Sequence, residues 1–596
     1  MEEVPVKPLH ISENARRVLE ARYLRRDARG RIAESPEDLF ARVARAVAGA
    51  ELRFGGPGAA ARWEGRFRRL MTGGYFLPNS PTLMNAGTAL GQLSACFVLP
   101  VPDTMEGIFG AVRDMALVQR TGGGTGFSFS RLRPAGDLVA STGGAASGPV
   151  SFMKIFDCAT ENIRQGGKRR GANMGVLRVD HPDVLAFVRA KLDGVSLQNF
   201  NLSVGVTDAF MEAAAAGRTY PLVHPRTGER VGRLDAAEVL AAMAEAAWAC
   251  GDPGLLFLDA VARANPVPEL GPIEATNPCG EVPLLPYESC NLGSLNLARL
   301  VRGDGTGARL DRRRLRRLAA EAVRFLDDVI EVCRYPLQPL AEAAAATRKI
   351  GLGVMGFAEM LVRMGISYDS DEAVAVAGDV ARELAEAALA ASRELARERG
   401  PYPAWRRGGP AGDVPVRNAT RTAIAPTGTL GIIAGTSAGI EPFFALAYRR
   451  RALDGEILTE VNPLFEAAAR AHGLDPRRLV EDVRRRGRLS AVPDVPETLR
   501  SRFVTALEVP PERHLAVQAA FQRHVDNSVS KTVNLPPAAT PADVAAVFRR
   551  AWELGLKGIT VYRYGSKAGQ VLELGAGDAA FLADHTARCD PGECRL

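Results

Sequence analysis

Asn277-Pro278-Cys279-Gly280-Glu281 sets an amide, a thiol and a carboxylate at alternate positions. Prolines at 278, 283 and 286 forbid a regular helix and favour an extended or looped path. In an extended chain, residues at i, i+2 and i+4 share a face, so Asn277, Cys279 and Glu281 would confront one reacting molecule. The set offers an amide for orientation, a sulfur for attack or hydrogen abstraction, and an acid-base group. An isolated cysteine in such a loop is more often a structural core residue; the flanking Asn and Glu reverse that preference. Cys290, in Glu288-Ser289-Cys290-Asn291, and Cys96, in Leu93-Ser94-Ala95-Cys96, supply two further thiols. Cys589 and Cys594 stand in a Gly- and Ala-rich stretch with little apolar content, which predicts a mobile tail with two thiols. A zinc site using His585, Cys589 and Cys594 lacks a fourth ligand and a regular spacing. Cys158, Cys250 and Cys333 fall in helical text beside apolar neighbours and are expected in the core.

Other segments could hold phosphates. Thr427-Gly428-Thr429 and Gly435-Thr436-Ser437-Ala438-Gly439 offer small residues, amides and hydroxyls that could surround a diphosphate, although such a cluster is more often a turn. Lys168, Arg169 and Arg170 suit phosphate or base contacts, or would pass as a solvated basic loop. A Walker A reading fails because Arg169 follows Lys168. Gly351-Leu352-Gly353-Val354-Met355-Gly356 matches the dinucleotide fingerprint formally, but no clear strand precedes it, and close helix packing is the expectation.

These residues must be positioned by a large core, which 596 residues with 46% hydrophobic and 24% charged content can build. Residues 1–70 read as a helical N-terminal segment, with Ser35-Pro36-Glu37-Asp38 a helix start before Leu39, Val43 and Val47. From Gly73 to Gly205 short apolar runs are punctuated by Gly, Pro, Ser and Asn, as expected of buried strands. Helices over Asp235 to Ala249, Arg314 to Cys333 and Asp371 to Arg399 alternate with further strands, which argues for an α/β domain over 71–574, followed by the tail, 575–596. The net charge of +7 is spread along the chain. With no zinc-finger or helix-turn-helix signature, nucleotides suit it better than nucleic acid. Eight cysteines are too few for a disulfide scaffold, and the acidic start lacks a secretory pattern, so reduced thiols in a cytoplasm are expected. The segment from Gly428 to Tyr448 is too interrupted by Gly and Pro for a membrane span and is expected to be a buried loop and helix.

NPCGE followed by ESCNLGSLNL resembles the finger loop and following strand of ribonucleotide reductase large subunits. Asn79-Ser80-Pro81-Thr82, LSACFVLP at 93–100, GGGTGF at 122–127, GGKRRGANMG at 166–175, RKIGLGVMGF at 348–357, APTGTLGIIAGTSAGIEP at 425–442 and KGITVYRYGSK at 557–567 fall in that family's order. The resemblance implies a ten-stranded α/β barrel of two five-stranded parallel half-barrels around a central finger loop. It implies that Cys279 is the radical thiol that takes the 3′-hydrogen of the ribose and is shielded inside the barrel, with Glu281 as base for the 3′-hydroxyl and Asn277 holding it. Cys96 and Cys290 would be the redox pair, and Cys589 and Cys594 the shuttle that re-reduces it. Ser80, Pro81, Ala95, Gly124, Thr427, Gly428 and Thr429 would contact substrate. Asp103, Arg133, Lys168 and Arg169 would bind a deoxynucleotide or ATP effector. The implied partners are a ribonucleoside diphosphate, a thioredoxin- or glutaredoxin-like reductant and a second copy of the chain.

The radical source follows from the same resemblance. The oxygen-dependent class uses two adjacent tyrosines near the end of the chain, whereas Tyr562 and Tyr564 are separated by Arg563. No glycyl-radical motif is present either. The wording resembles the class that uses adenosylcobalamin, although no Asp-x-His-x-x-Gly cobalamin motif and no candidate cobalt-ligating histidine stand in the chain, so no metal ligand is named. The N-terminal segment is too short for the ATP-binding activity domain. Two alternatives stay open: a large subunit needing a separate radical-generating subunit, and a non-catalytic nucleotide-binding regulator, which would have no use for the five thiols.

Overall fold

The computed structural model describes residues 8–139, 143–165, 169–305, 307–410, 412–452, 456–566 and 572–573. Three helices come first: α1 (Glu13–Arg22), α2 (Pro36–Ala48) and α3 (Leu52–Thr72). α2 starts where its sequence predicts. The Ser35 hydroxyl accepts the Asp38 N–H, the Asp38 carboxylate accepts the Ser35 N–H, and Pro36 follows the cap. Its buried face of Leu39, Phe40, Val43 and Val47 shares one apolar cluster with Phe67 and Met71 of α3.

Ten strands form the main sheet: β1 (Phe76–Pro78), β2 (Cys96–Val98), β3 (Gly124–Ser128), β4 (Asn173–Arg178), β5 (Phe200–Val206), β6 (Gly254–Phe257), β7 (Ser289–Asn296), β8 (Ile350–Met355), β9 (Thr532–Leu535) and β10 (Gly558–Arg563). β2 to β6 lie side by side in parallel. β7 pairs in parallel with β8, and β9 with β10. Parallel bridges from Leu352 to Thr422 and from Ile424 to Val529 carry β8 through residues 420–424 to the chain that enters β9. A second parallel set of five results. The two sets meet antiparallel at β2–β7 and again at β6–β10, so the hydrogen-bonded path returns on itself as two half-barrels, with β1 added outside on β7. Strands such as β7 and β8 are buried along their whole length, as parallel strands covered on both faces must be.

The interior is not empty. A hairpin pairing Ala275–Thr276 with Pro283–Leu284 rests against β3, and Ala275, Val282 and Leu284 pack with Cys96, Val98, Val176, Cys290 and Leu292. On the outside, α5 (Arg312–Val332) and α6 (Asp371–Arg399) flank β7 and β8 and carry a buried ion network. Asp327 accepts from Arg348 at 2.9 Å, from Arg399 at 3.0 Å and from Asn418 at 3.0 Å; Arg399 also reaches Asp328 at 2.6 Å and Glu51 at 2.7 Å. Glu51 lies between α2 and α3, so the network fastens the helical segment to the barrel beside β8.

Several expectations need correction. Gly351 to Met355 is itself the buried strand β8, not a helix contact, because its neighbours β7 and 420–424 lie on both edges. Cys158 is exposed, on the outer face of the helix Pro149–Asn162, while Cys250 and Cys333 sit at helix ends and are only half-buried. The segment from Gly428 contains the short helix α7 (Gly428–Ala434), as expected. Among the described residues no helix is long and apolar enough to cross a membrane.

Candidate active site

Cys96 on β2 and Cys290 on β7 are direct partners in the antiparallel register where the two half-barrels meet. Partner Cα atoms in such a ladder stand about 4.5–5.5 Å apart, within the span of a disulfide. Both thiols are buried and reduced. Burial pushes each thiol well above its ordinary range; Glu281, Cys290 and Cys279 push Cys96 further, whereas Lys349 opposes the rise at Cys290. At neutral pH both are S–H groups, able to give hydrogen rather than to act as standing nucleophiles.

The finger hairpin packs beside both thiols. Its tip is a tight turn in which the Gly280 N–H donates to the Asn277 carbonyl at 3.0 Å, with Pro278 second in the turn and Gly280 at φ +82°. Of the extended or looped path expected for Asn277 to Glu281 the looped one is found, so the face-sharing of an extended chain does not apply: the chain reverses at Gly280, a conformation glycine adopts without strain. Asn277 and Glu281 become the buried walls of the turn and Cys279 its apex. The Asn277 side-chain oxygen accepts the Val282 N–H at 3.0 Å and the Thr276 hydroxyl at 3.2 Å, which fixes the amide. Cys279 is exposed instead of shielded, because the turn projects its thiol beyond the walls.

Glu281 is the buried carboxyl nearest the thiols. Its Oε1 lies 4.0 Å from Cys96 Sγ, and its Oε2 is buried with no hydrogen-bond partner among the described residues. Burial raises its carboxyl to about 7, against an opposing pull from the Asn277 amide. A carboxyl poised there exchanges a proton in either direction at neutral pH. Its backbone carbonyl accepts the Ser528 N–H at 2.9 Å, and the Ser528 carbonyl accepts the Ile424 N–H at 3.2 Å, so the finger is tied to the strand that leads to Thr427.

The other expected residues divide into those brought to this centre and those that are not. Gly124 donates its N–H to the Ala95 carbonyl at 2.8 Å, Ala95 donates to the Cys290 carbonyl at 3.2 Å, and Pro278 packs on Gly124. Ser80 and Pro81 open the short helix α4 (Ser80–Asn85), capped by Asn79, with the Ser80 hydroxyl 2.7 Å from that of Tyr23. Thr427 sits at φ +49° before α7; its carbonyl accepts the Gly431 N–H and its hydroxyl the Gly439 N–H, each at 2.7 Å. Gly428 begins α7 and is exposed, and Thr429 beside it is half-buried. Asp103 and Arg133 form an ion pair at 2.8 Å, away from the thiols. Arg169 lies in a small hairpin paired with Gln165, whereas Lys168, Cys589 and Cys594 lie outside the described residues.

The comparisons with known proteins agree with this arrangement. Residues 9–91 match the ribonucleotide reductase all-alpha domain, and residues 94–413 and 411–562 match the ribonucleotide reductase barrel domain. The chain belongs to the ribonucleotide reductase family. A vitamin B12-dependent ribonucleoside-diphosphate reductase of Mycobacterium tuberculosis is 55% identical over 569 residues, covering 95% of this chain and 80% of that protein. The protein of the same description from Thermoplasma acidophilum is 45% identical over 631 residues, covering 96% of this chain and 81% of its own. The class Id ribonucleotide reductase alpha subunit of Actinobacillus ureae has the same fold, with a TM-score of 0.77 at 23% identity over 94% of this chain and 98% of that one.

Three features of this reductase-family site have no counterpart in the sequence reading. Lys349 pairs with Glu288 at 2.5 Å, both fully buried beside Cys290, a contact made only by the register of β7 against β8. Asn201 on β5 donates to the Pro278 carbonyl at 2.8 Å and steadies the finger from the same half-barrel as β3. The 427–441 loop is clamped from outside. Glu359 accepts the Ser437 N–H at 2.7 Å, and Lys531, buried between Glu441 at 2.6 Å and His514 at 2.8 Å, anchors the loop's far end. The one signal in the sequence is that Glu288 and Lys349 each stand at the start of a family motif, ESCNLGSLNL for the first and RKIGLGVMGF for the second.

Proposed function

We propose that this chain reduces ribonucleoside diphosphates to 2′-deoxyribonucleoside diphosphates by a thiyl-radical mechanism with adenosylcobalamin as cofactor. The observation that carries the reading is the placement of Cys96 directly across from Cys290, with Glu281 4.0 Å from Cys96 and the Cys279 thiol at the apex of the same turn. The exposure of Cys279 fits a bulky cofactor, since a thiol that must meet one has to project from its walls. When bound, adenosylcobalamin supplies radical chemistry through homolysis of its cobalt–carbon bond.

The chain's own residues then do the following. Cys279, as the thiyl, takes the 3′-hydrogen of the ribose. Glu281, its carboxyl near 7, takes the 3′-hydroxyl proton, and the Asn277 amide, locked by Val282 and Thr276, orients that hydroxyl. Cys96 and Cys290, held as neutral thiols by burial, give the proton that lets the 2′-hydroxyl leave as water and the two electrons that follow, and end as a disulfide. Ser80, Pro81, Ala95 and Gly124 line the sugar side, and Thr427, Gly428 and Thr429 offer hydroxyls and amides to the diphosphate. Cys589 and Cys594 carry electrons from a thioredoxin- or glutaredoxin-like partner. Asp103, Arg133, Lys168 and Arg169 form the effector site for deoxynucleotides or ATP in a cytoplasmic homodimer; deoxynucleotide affinity unchanged by Arg133→Ala would count against that placement.

The test is incubation of the purified protein with adenosylcobalamin, dithiothreitol and CDP or ADP. Deoxynucleotide is expected without any second protein. Product that forms only after addition of a radical-generating subunit would move the chain to the other class.

A further inference from the structure

The disulfide that ends a turnover has two unlike sulfurs. We propose, resting on the reading above in which Cys96 and Cys290 become that disulfide, that its re-reduction begins with attack at Cys96 and releases Cys290 as the thiolate, with Lys349 placed to balance the charge.

Access distinguishes the two sulfurs. The Cys290 thiol donates to the Asn291 carbonyl at 3.4 Å, and Gly351 of β8 backs it so closely that a Cβ there would stand 3.6 Å from the sulfur, 2.4 Å from Leu292 and 2.8 Å from Ala423. A nucleophile must approach along the sulfur–sulfur axis, and behind Cys290 that axis runs into the barrel wall. Cys96 faces the finger instead, with Glu281 at 4.0 Å and the exposed Cys279 beyond. A thiol entering from the finger side meets Cys96 first.

Charge points the same way. The parallel register pairs Asn291 with Ile350, so the preceding residues, Cys290 and Lys349, are neighbours across the β7–β8 edge. Glu288, the partner of Lys349, also accepts the Leu285 N–H and the Thr347 hydroxyl, each at 2.8 Å, which fixes the ion pair beside Cys290. The titratable groups facing the pair are thus Lys349, Glu288 and Glu281 at Cys290, and Glu281 and Cys279 at Cys96. Burial disfavours a thiolate at either sulfur; at Cys290 Lys349 offsets it against the opposing charges of Glu281 and Glu288, whereas at Cys96 Glu281, Cys290 and Cys279 add to it and only the Asn277 amide opposes. The better leaving group is Cys290.

The step balances as follows. One thiolate of an external dithiol bonds to Cys96 Sγ, the protein S–S bond breaks, and its electron pair goes to Cys290. The second thiol then attacks the outer sulfur of the mixed disulfide, and Cys96 departs and takes the Glu281 proton. The dithiol is oxidised to a disulfide, and its two protons end on the protein thiols, one by way of Glu281.

The experiment uses the full-length chain with Cys589→Ser and Cys594→Ser, oxidised with diamide, then given 2-mercaptoethanol and quenched with N-ethylmaleimide. Peptide mass spectrometry should find mercaptoethanol on Cys96 and maleimide on Cys290. The reverse pattern, or equal labelling, overturns the proposal. In the isosteric pair Lys349→Met with Glu288→Gln, reduction by dithiothreitol should slow on the order of tenfold and the labelling should spread to both cysteines; an unchanged rate and pattern would remove Lys349 from the account. If wild-type chain shows no Cys96–Cys290 disulfide after one turnover, the underlying reading falls too, a result separate from a misplaced adduct.

Discussion

Gly126 and Thr276 are packed with no space between them: a Cβ on Gly126 would stand 1.8 Å from the Thr276 carbonyl oxygen. Strand β3 therefore sets the height at which the finger hairpin stands, and with it the positions of Asn277, Cys279 and Glu281.

Gly126→Ala should push the finger away from β3 by roughly 1 Å or more. Misplacement of that size costs a reacting group about a hundredfold, while overpacking costs roughly 1–3 kcal/mol of stability. The expected result is a folded protein by circular dichroism with kcat down about two orders of magnitude. Wild-type turnover would show that the finger is not positioned by this contact.

Glu281→Gln should cost about 10²–10⁴ in turnover and yet stabilise the fold at alkaline pH. The carboxyl is raised from 4.5 to about 7 by burial, so its protonated form is the one the fold favours. Below about pH 4.5 the group costs nothing; as pH climbs from there past 7, the wild type must ionise a buried acid and loses stability, on the order of 3 kcal/mol in full. Melting curves of the two proteins should coincide near pH 4.5 and separate by pH 8, with the variant higher. A wild type that melts higher at pH 8 would contradict the assignment.

Cys279→Ser separates chemistry from binding. A serine hydroxyl cannot carry the radical, so deoxynucleotide should be undetectable, while diphosphate affinity by calorimetry changes less than about threefold. Residual turnover above a few per cent would dismiss Cys279 as the hydrogen-abstracting group.

Asp327→Ala removes the centre of the buried network and leaves Arg348, Arg399 and Arg417 short of a counter-charge. Breaking one member of such a cluster costs about 3–5 kcal/mol. Urea unfolding should show that loss in the midpoint. A change under about 1 kcal/mol would mean that water or neighbouring acids compensate.

The residues with chemistry of their own are legible in the amino-acid order, since an amide, a thiol and a carboxylate in one pentapeptide of a proline-rich stretch have few other uses. Their geometry is not: alternate spacing cannot reveal that Gly280 reverses the chain at positive φ. Helix starts are readable from caps. The predicted start at Asp235 is the cap of Ala236–Cys250, its carboxylate accepting the Ala237 N–H at 2.8 Å. Strand β8 is hidden because its glycines, read alone, suggest close helix packing, and only their neighbours on both edges explain them. The Lys349–Glu288 pair is invisible for the same reason, because a contact set by strand register has no local signature.

The junction at β2 and β7 has a mechanical side. Each half-barrel is parallel within itself, and Cys96 and Cys290 straddle the line where one half is hemmed to the other. Oxidation would stitch that hem and reduction unpick it. Closing the long stretch of chain between positions 96 and 290 with a covalent link is worth up to about 5 kcal/mol on chain-entropy grounds, so the catalytic cycle would alternate between a riveted and a hinged cylinder, and the heat resistance of the protein would record which of the two it is.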